Sequence, residues 1–111
     1  MVLNNGEANG RQFLSSGIIE EISRNQIEGS GNNTGLGWEL AQQMYMGDHF
    51  SNRTIGKTGF TGSVIIIDMN KKIGIVILSN FTYPEREQNP DRINRFRADI
   101  ADHIFTGEYF K

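Results

Sequence analysis

Two runs of mostly β-branched residues, Val64-Ile65-Ile66-Ile67 and Ile75-Val76-Ile77-Leu78, constrain this chain more than any other feature. Side chains on a strand alternate between the two faces, so a sheet with one wet face reads apolar, polar, apolar. Neither run alternates. Both therefore predict strands buried on both faces of a sheet. Between them, Asp68-Met69-Asn70-Lys71-Lys72 has the polarity and length of a hairpin connection. Strands over Ser63–Asp68 and Ile73–Asn80 should accordingly pair antiparallel.

The rest of the chain reads outward from that hairpin. Asn4 to Gly10 is Asn- and Gly-rich turn sequence. Ser15 or Ser16 can cap a helix over Ser16–Asn25, with Ile18, Ile19 and Ile22 as its apolar stripe. Glu28 to Thr34 is a polar loop. Leu36, Trp38 and Leu40 recur at period two and predict a half-buried strand, and Met44 to Asn52 reads as a turn or strand end. Thr54 to Phe60 reads as a short strand interrupted by glycines. Beyond the hairpin, Asn89 as cap and Pro90 at the first helical position open a helix over about Pro90–Phe105. Its apolar face is Ile93, Phe96, Ile100 and Ile104.

Helix, antiparallel strands, helix is an α+β arrangement: one antiparallel β-sheet with flanking helices, in a single domain over residues 1–111. Two helices should cover about one face of a sheet that asks for two. Each large apolar side chain left bare forfeits roughly 1.5–3 kcal/mol, in a domain stable by about 5–15 kcal/mol. The missing cover is expected from another chain, from further sequence, or from strand residues facing otherwise than assumed.

Composition excludes several classes of function. Eleven Lys and Arg against thirteen Asp and Glu give a net charge of −2. With no basic run, a strongly basic nucleic-acid binder is ruled out. The absence of cysteine removes disulfide scaffolds, thiolate nucleophiles and Cys-bound zinc. Met1 to Asn9 has neither the basic nor the apolar region of a secretory signal, and no apolar stretch approaches membrane-spanning length. His49 and His103 read as surface histidines, and Asp99 with His103 as a solvated helix pair, so neither a metal nor a cofactor is expected. Trp38, Met44 and Met46 read as packing residues.

The segment richest in chemistry is Gly56-Lys57-Thr58-Gly59-Phe60-Thr61-Gly62. Lys57 brings a positive charge and Thr58 a hydroxyl, and glycines let a substrate approach the backbone. A backbone N–H exposed beside them can stabilise an oxyanion. The same residues also suit a Gly-rich strand entry or bulge. They do not form a phosphate-binding loop, because Ser51 stands where the first glycine of that motif belongs.

This segment, preceded by Gly35-Leu36-Gly37-Trp38-Glu39-Leu40 and followed by Gly74-Ile75-Val76-Ile77-Leu78-Ser79-Asn80, resembles the C-terminal part of the serine β-lactamase and penicillin-binding-protein superfamily. The nearest group is that of the class C β-lactamase-like serine hydrolases, which includes D-Ala-D-Ala carboxypeptidases and esterases. The opening Leu3 to Gly10, with Leu14-Ser15, resembles the stretch preceding this region in that group. The resemblance implies that the Lys-Thr-Gly strand lines an active site. Lys57 would then stand on the electrostatic side of the cleft, and Thr58, beside Gly59, would bind a substrate carboxylate. The backbone N–H of Phe60 would be one of two oxyanion donors.

The departures from that pattern are as informative. The family's nucleophile lies in Ser-x-x-Lys. Here Ser15, Ser16, Ser23, Ser30, Ser51, Ser63 and Ser79 are followed at the third position by Ile18, Ile19, Gln26, Asn33, Thr54, Ile66 and Thr82. The Tyr-x-Asn motif is missing too, since Tyr45, Tyr83 and Tyr109 are followed at the second position by Gly47, Glu85 and Lys111. Nucleophile, base and one oxyanion donor are thus absent, and one donor alone does not make acyl transfer. The resemblance then implies the C-terminal portion of a larger serine hydrolase, inactive alone, whose parent takes a small-molecule or peptide substrate and is extracytoplasmic or membrane-associated. The expected partner is the rest of the parent chain, or a second copy through the apolar sheet; nucleic acid is not expected. The alternative is a stand-alone interaction module derived from the same fold.

Overall fold

The hairpin anticipated from the two β-branched runs is the centre of the molecule. In the computed structural model, which describes residues 1–107, the elements are β1 (Glu7–Ala8), β2 (Arg11–Gln12), α1 (Ser16–Ser23), β3 (Glu39–Leu40), α2 (Gln43–Met46), β4 (Thr54–Thr58), β5 (Val64–Asp68), β6 (Ile73–Ile77) and α3 (Asp91–Thr106). The main sheet has the order β3-β4-β5-β6, and β1 and β2 form a separate small hairpin. All its pairs are antiparallel. Gly56 faces Ile66, which faces Ile75; Lys57 faces Ile65, which faces Val76.

That register sorts the side chains. On one face Val64, Ile66 and Ile75 pack with Tyr45 and Met46 of α2 and with Ala101 and Phe105 of α3. On the other, Ile55 and Ile67 pack with Ile19 of α1, flanked by Leu14, Ile22 and Trp38. The helices therefore lie on opposite faces, rather than together over one. β5 is buried on both sides as expected. β6 is not: it is the last strand of the sheet, Val76 is 62% and Leu78 84% exposed, and only its inward row is covered. The second run thus keeps the apolar sequence of a central strand while occupying an edge.

Local chemistry explains the element ends. The Ser15 hydroxyl accepts from the Ile18 N–H at 3.2 Å and caps α1. The helix stops at Ser23, before Asn25, and Ile18 of its expected stripe faces solvent. Only Glu39 and Leu40 of the period-two segment pair with β4, and Leu36 is exposed. Met44 to Asn52 begins with one helical turn rather than a strand end; it buries Tyr45 and Met46 but leaves Met44 outside. Asn89 accepts from the Asp91 N–H at 3.0 Å, so α3 starts one residue after Pro90. The buried line of α3 is Ile93, Arg97, Ala101 and Phe105, and Phe96 of the expected face is exposed.

Two side chains tie these pieces together. Asp68 ends β5 with no exposed surface. Its carboxylate accepts from the Ser51 N–H (2.7 Å), the Ser51 hydroxyl (2.6 Å), the Asn70 N–H (3.0 Å) and the Lys71 N–H (2.9 Å). Asp102 on α3 accepts from the N–H groups of Asp48 (2.7 Å) and His49 (3.2 Å), docking the end of α2. No helix among the described residues is long and apolar enough to cross a membrane.

Candidate functional site

Strand alternation places Lys57 and Thr58 on opposite faces of β4. Lys57 shares its face with Ile55, Ile65 and Val76, and Thr58 shares its face with Gly56 and Val64. Thr58, Gly59 and Phe60 then line a cavity of about 330 Å³ between the end of β4, the 81–90 loop and the first turns of α3. Glu39, Tyr45, Arg86, Asn94 and Arg97 are among its other polar lining residues. Lys57 does not line it. Its ammonium instead sits 3.3 Å from Glu39, whose carboxylate does border the cavity. Of the four residues anticipated here, three share the cavity and the fourth is linked to it through Glu39.

The backbone after β4 turns sharply. The Gly59 N–H donates to the Ser63 carbonyl at 2.7 Å and the Gly62 N–H to the Gly59 carbonyl at 3.1 Å. Phe60, between them, has no backbone acceptor for its N–H among the described residues. That amide is free to donate, as an oxyanion donor must be. The Phe60 ring is 71% exposed, with the Arg86 guanidinium 4.6 Å from its centroid. An arginine over an aromatic face is held electrostatically by the ring quadrupole.

One buried hydroxyl reaches this cavity. Tyr45 is 1% exposed, and its hydroxyl has no hydrogen-bond partner among the described residues. Burial, and then the nearby Glu39 charge, push its pKa well above that of an ordinary tyrosine. It therefore stays protonated and available as a donor. Gly56 lies directly beneath it: a Cβ there would come within 2.8 Å of the hydroxyl and 2.7 Å of Met46 Cε. The glycine of β4 thus admits Tyr45 to the site.

Glu39, Tyr45, Arg86 and Arg97 were not singled out from the sequence. Glu39 entered only as part of the Gly35–Leu40 run, and Tyr45 only as a tyrosine lacking the Asn of Tyr-x-Asn. Arg97 had a signal, being four residues from Ile93 and from Ala101, but a charged residue was not placed on the buried line. The two histidines lie apart from this cavity. His49 stands 3.9 Å from Asp102 at the α2–α3 junction, and among the described residues no cluster of three metal-ligating side chains occurs.

The β-lactamase family model matches residues 2–100 of this chain. Among solved structures, a β-lactamase from Mycobacterium bovis is similar in fold, with a TM-score of 0.67 at 22% sequence identity. The match covers 86% of this chain and 38% of that one, so the chain spans well under half of the solved protein's length. No curated protein matches the chain in sequence.

Proposed function

The chain belongs to the β-lactamase family, and we propose on that footing that it is the C-terminal, substrate-lining portion of a serine hydrolase and is inactive alone. The parent would acylate and then deacylate a serine on an amide or ester: a β-lactam, a D-Ala-D-Ala stem peptide or a simple ester. In this reading Thr58 and Gly59 bind the substrate. The Phe60 N–H donates to the oxyanion, and Lys57 supplies positive charge at the cleft edge. The observation that carries the reading is the pairing of an unengaged Phe60 N–H with Thr58 on the wall of one cavity. The absence of Ser-x-x-Lys and Tyr-x-Asn supports inactivity in isolation.

The test is reconstitution. The 111-residue chain should not hydrolyse a chromogenic β-lactam, an acyl-D-Ala-D-Ala peptide or a nitrophenyl ester. The same chain joined to a family segment carrying Ser-x-x-Lys and Tyr-x-Asn should hydrolyse at least one of them. Thr58→Val should then raise KM for carboxylate-bearing substrates. Turnover or covalent acylation by the 111-residue chain alone would refute the reading. A second reading, a non-catalytic interaction module, is favoured by the bare Val76 on the edge strand and Leu78 just after it. In either case the expected cover for that edge is the rest of a parent chain or a second copy.

A further inference from the structure

Arg97 is the one arginine in the buried line of α3, and it is 4% exposed. A buried guanidinium is costly unless its donors are met. Among the described residues no carboxylate forms an ion pair with it. Its donors go to backbone instead: Nε to the Gly62 carbonyl at 2.9 Å and Nη2 to the Ser63 carbonyl at 3.3 Å. Nη1 donates to Asn94 Oδ1 at 2.8 Å, one turn earlier on the same helix, which orients the fork. Both backbone acceptors belong to the turn that carries Phe60.

The connection to Phe60 is short. The Ser63 carbonyl that takes Arg97 Nη2 also takes the Gly59 N–H. The Gly62 carbonyl that takes Nε belongs to the residue whose own N–H closes the turn on Gly59. Gly62 is wedged in place at a φ of +96°, where an added Cβ would come within 2.8 Å of Ser79 Oγ and 2.9 Å of Phe81 Cβ. The outer side of the turn is pinned through the Thr61 carbonyl, which accepts from the Phe81 N–H at 2.7 Å and the Ser79 hydroxyl at 3.2 Å. The inner side is pinned by Arg97. Phe60 lies between the two anchors, with its own N–H unengaged among the described residues.

We propose that Arg97 is a positioning residue: through the carbonyls of Gly62 and Ser63 it sets the direction of the Phe60 N–H toward the cavity. Its functional meaning rests on the reading of Phe60 as an oxyanion donor; the positioning itself does not. A charged fork suits this task because it grips two consecutive carbonyls from a rigid helix, where a lysine can offer only a point charge.

Amide hydrogen exchange on the 111-residue chain tests it without turnover. Gly59 and Gly62 report the turn, Phe60 reports the free amide, and Ile66 in mid-sheet reports global opening. Arg97→Gln should speed exchange at Gly59 and Gly62 by about tenfold or more beyond any change at Ile66, the weight of one charge-assisted hydrogen bond, and should shift the Phe60 amide resonance. Arg97→Lys, which keeps the charge and can retain one bond, should fold even if the glutamine variant does not, and should show a smaller effect of the same pattern. Equal changes at Gly59, Gly62 and Ile66 in the folded variants would make Arg97 a general stabiliser and overturn the proposal, as would an unmoved Phe60 resonance. Failure of the reconstituted hydrolase would sink the catalytic reading while leaving the exchange result to stand by itself.

Discussion

Asp68→Asn isolates how the central hairpin is held, and its effect follows from the four donors counted above. Oδ1 accepts from the Ser51 hydroxyl, the Asn70 N–H and the Lys71 N–H; Oδ2 accepts from the Ser51 N–H at 2.7 Å. Asparagine has one oxygen. Placed best, it replaces Oδ1 and keeps three donors, while its NH₂ meets the Ser51 N–H head-on. One charge-assisted bond is lost, about 1.5–3 kcal/mol, and a buried donor is left unpaired, roughly 1–3 kcal/mol. The three surviving bonds also become neutral. The expected loss is roughly 3–5 kcal/mol, a large part of the about 5–15 kcal/mol a domain possesses. Urea unfolding followed by Trp38 fluorescence at pH 7 reads it. Acid gives the second arm. Burial alone would raise the Asp68 pKa, but the Ser51 hydroxyl and the amides of Lys71 and Ser51 outweigh it and hold the carboxyl below its ordinary value. A carboxyl depressed in the folded state contributes stability above its unfolded pKa, about 3.9, and loses it as pH falls through the folded value. The gap between wild type and Asp68→Asn should therefore close as pH drops below about 4. A loss under about 1 kcal/mol at pH 7, or a gap unchanged by acid, would refute the reasoning.

Four further outcomes follow from the same geometry. Gly56→Ala brings a Cβ to 2.7 Å from Met46 Cε, 2.8 Å from the Tyr45 hydroxyl and 3.0 Å from the Ile65 carbonyl. It should cost about 1–3 kcal/mol in chemical denaturation. Tyr45→Phe removes a buried hydroxyl with no hydrogen-bond partner among the described residues, so it should leave Tm unchanged or higher and recover part of the Gly56→Ala loss in the double variant. Gly47→Ala puts a side chain at a φ of +83° into overlap with the Asp102 carboxylate. It should undock α2 from α3, seen as fast exchange of the Asp48 amide ahead of global unfolding. The isolated chain should self-associate through β6; sedimentation of wild type above 12.5 kDa, with Val76→Lys/Leu78→Lys returning to that mass, checks it.

What the sequence alone could reveal divides along a physical line. The hairpin, the Ser15 cap and the place of α3 depend on near neighbours, and they were legible. The exposed face of β6 was not, because β5 and β6 carry the same kind of residues and only sheet order separates a centre from an edge. Phe96 was expected inside, and Arg97 was not, for a similar reason. Counting apolar residues treats burial as hydrophobic, whereas Arg97 is buried by the carbonyls of a turn thirty-four and thirty-five residues away. At the site, alternation alone separates Lys57 from Thr58, but the Lys57–Glu39 pair needs the β3–β4 register.

Sheet order also bears on what covers β6. A strand evolved for an edge carries charges, prolines or bulges that blunt pairing, and Ile73 to Leu78 carries none of them. Its composition describes a strand that works with a neighbour on its open side. If Val76→Lys/Leu78→Lys leaves sedimentation unchanged in this chain but impairs the reconstituted hydrolase, the neighbour is the rest of the parent rather than a second copy. If it abolishes association and leaves reconstitution intact, the interaction-module reading gains the argument that the catalytic one loses.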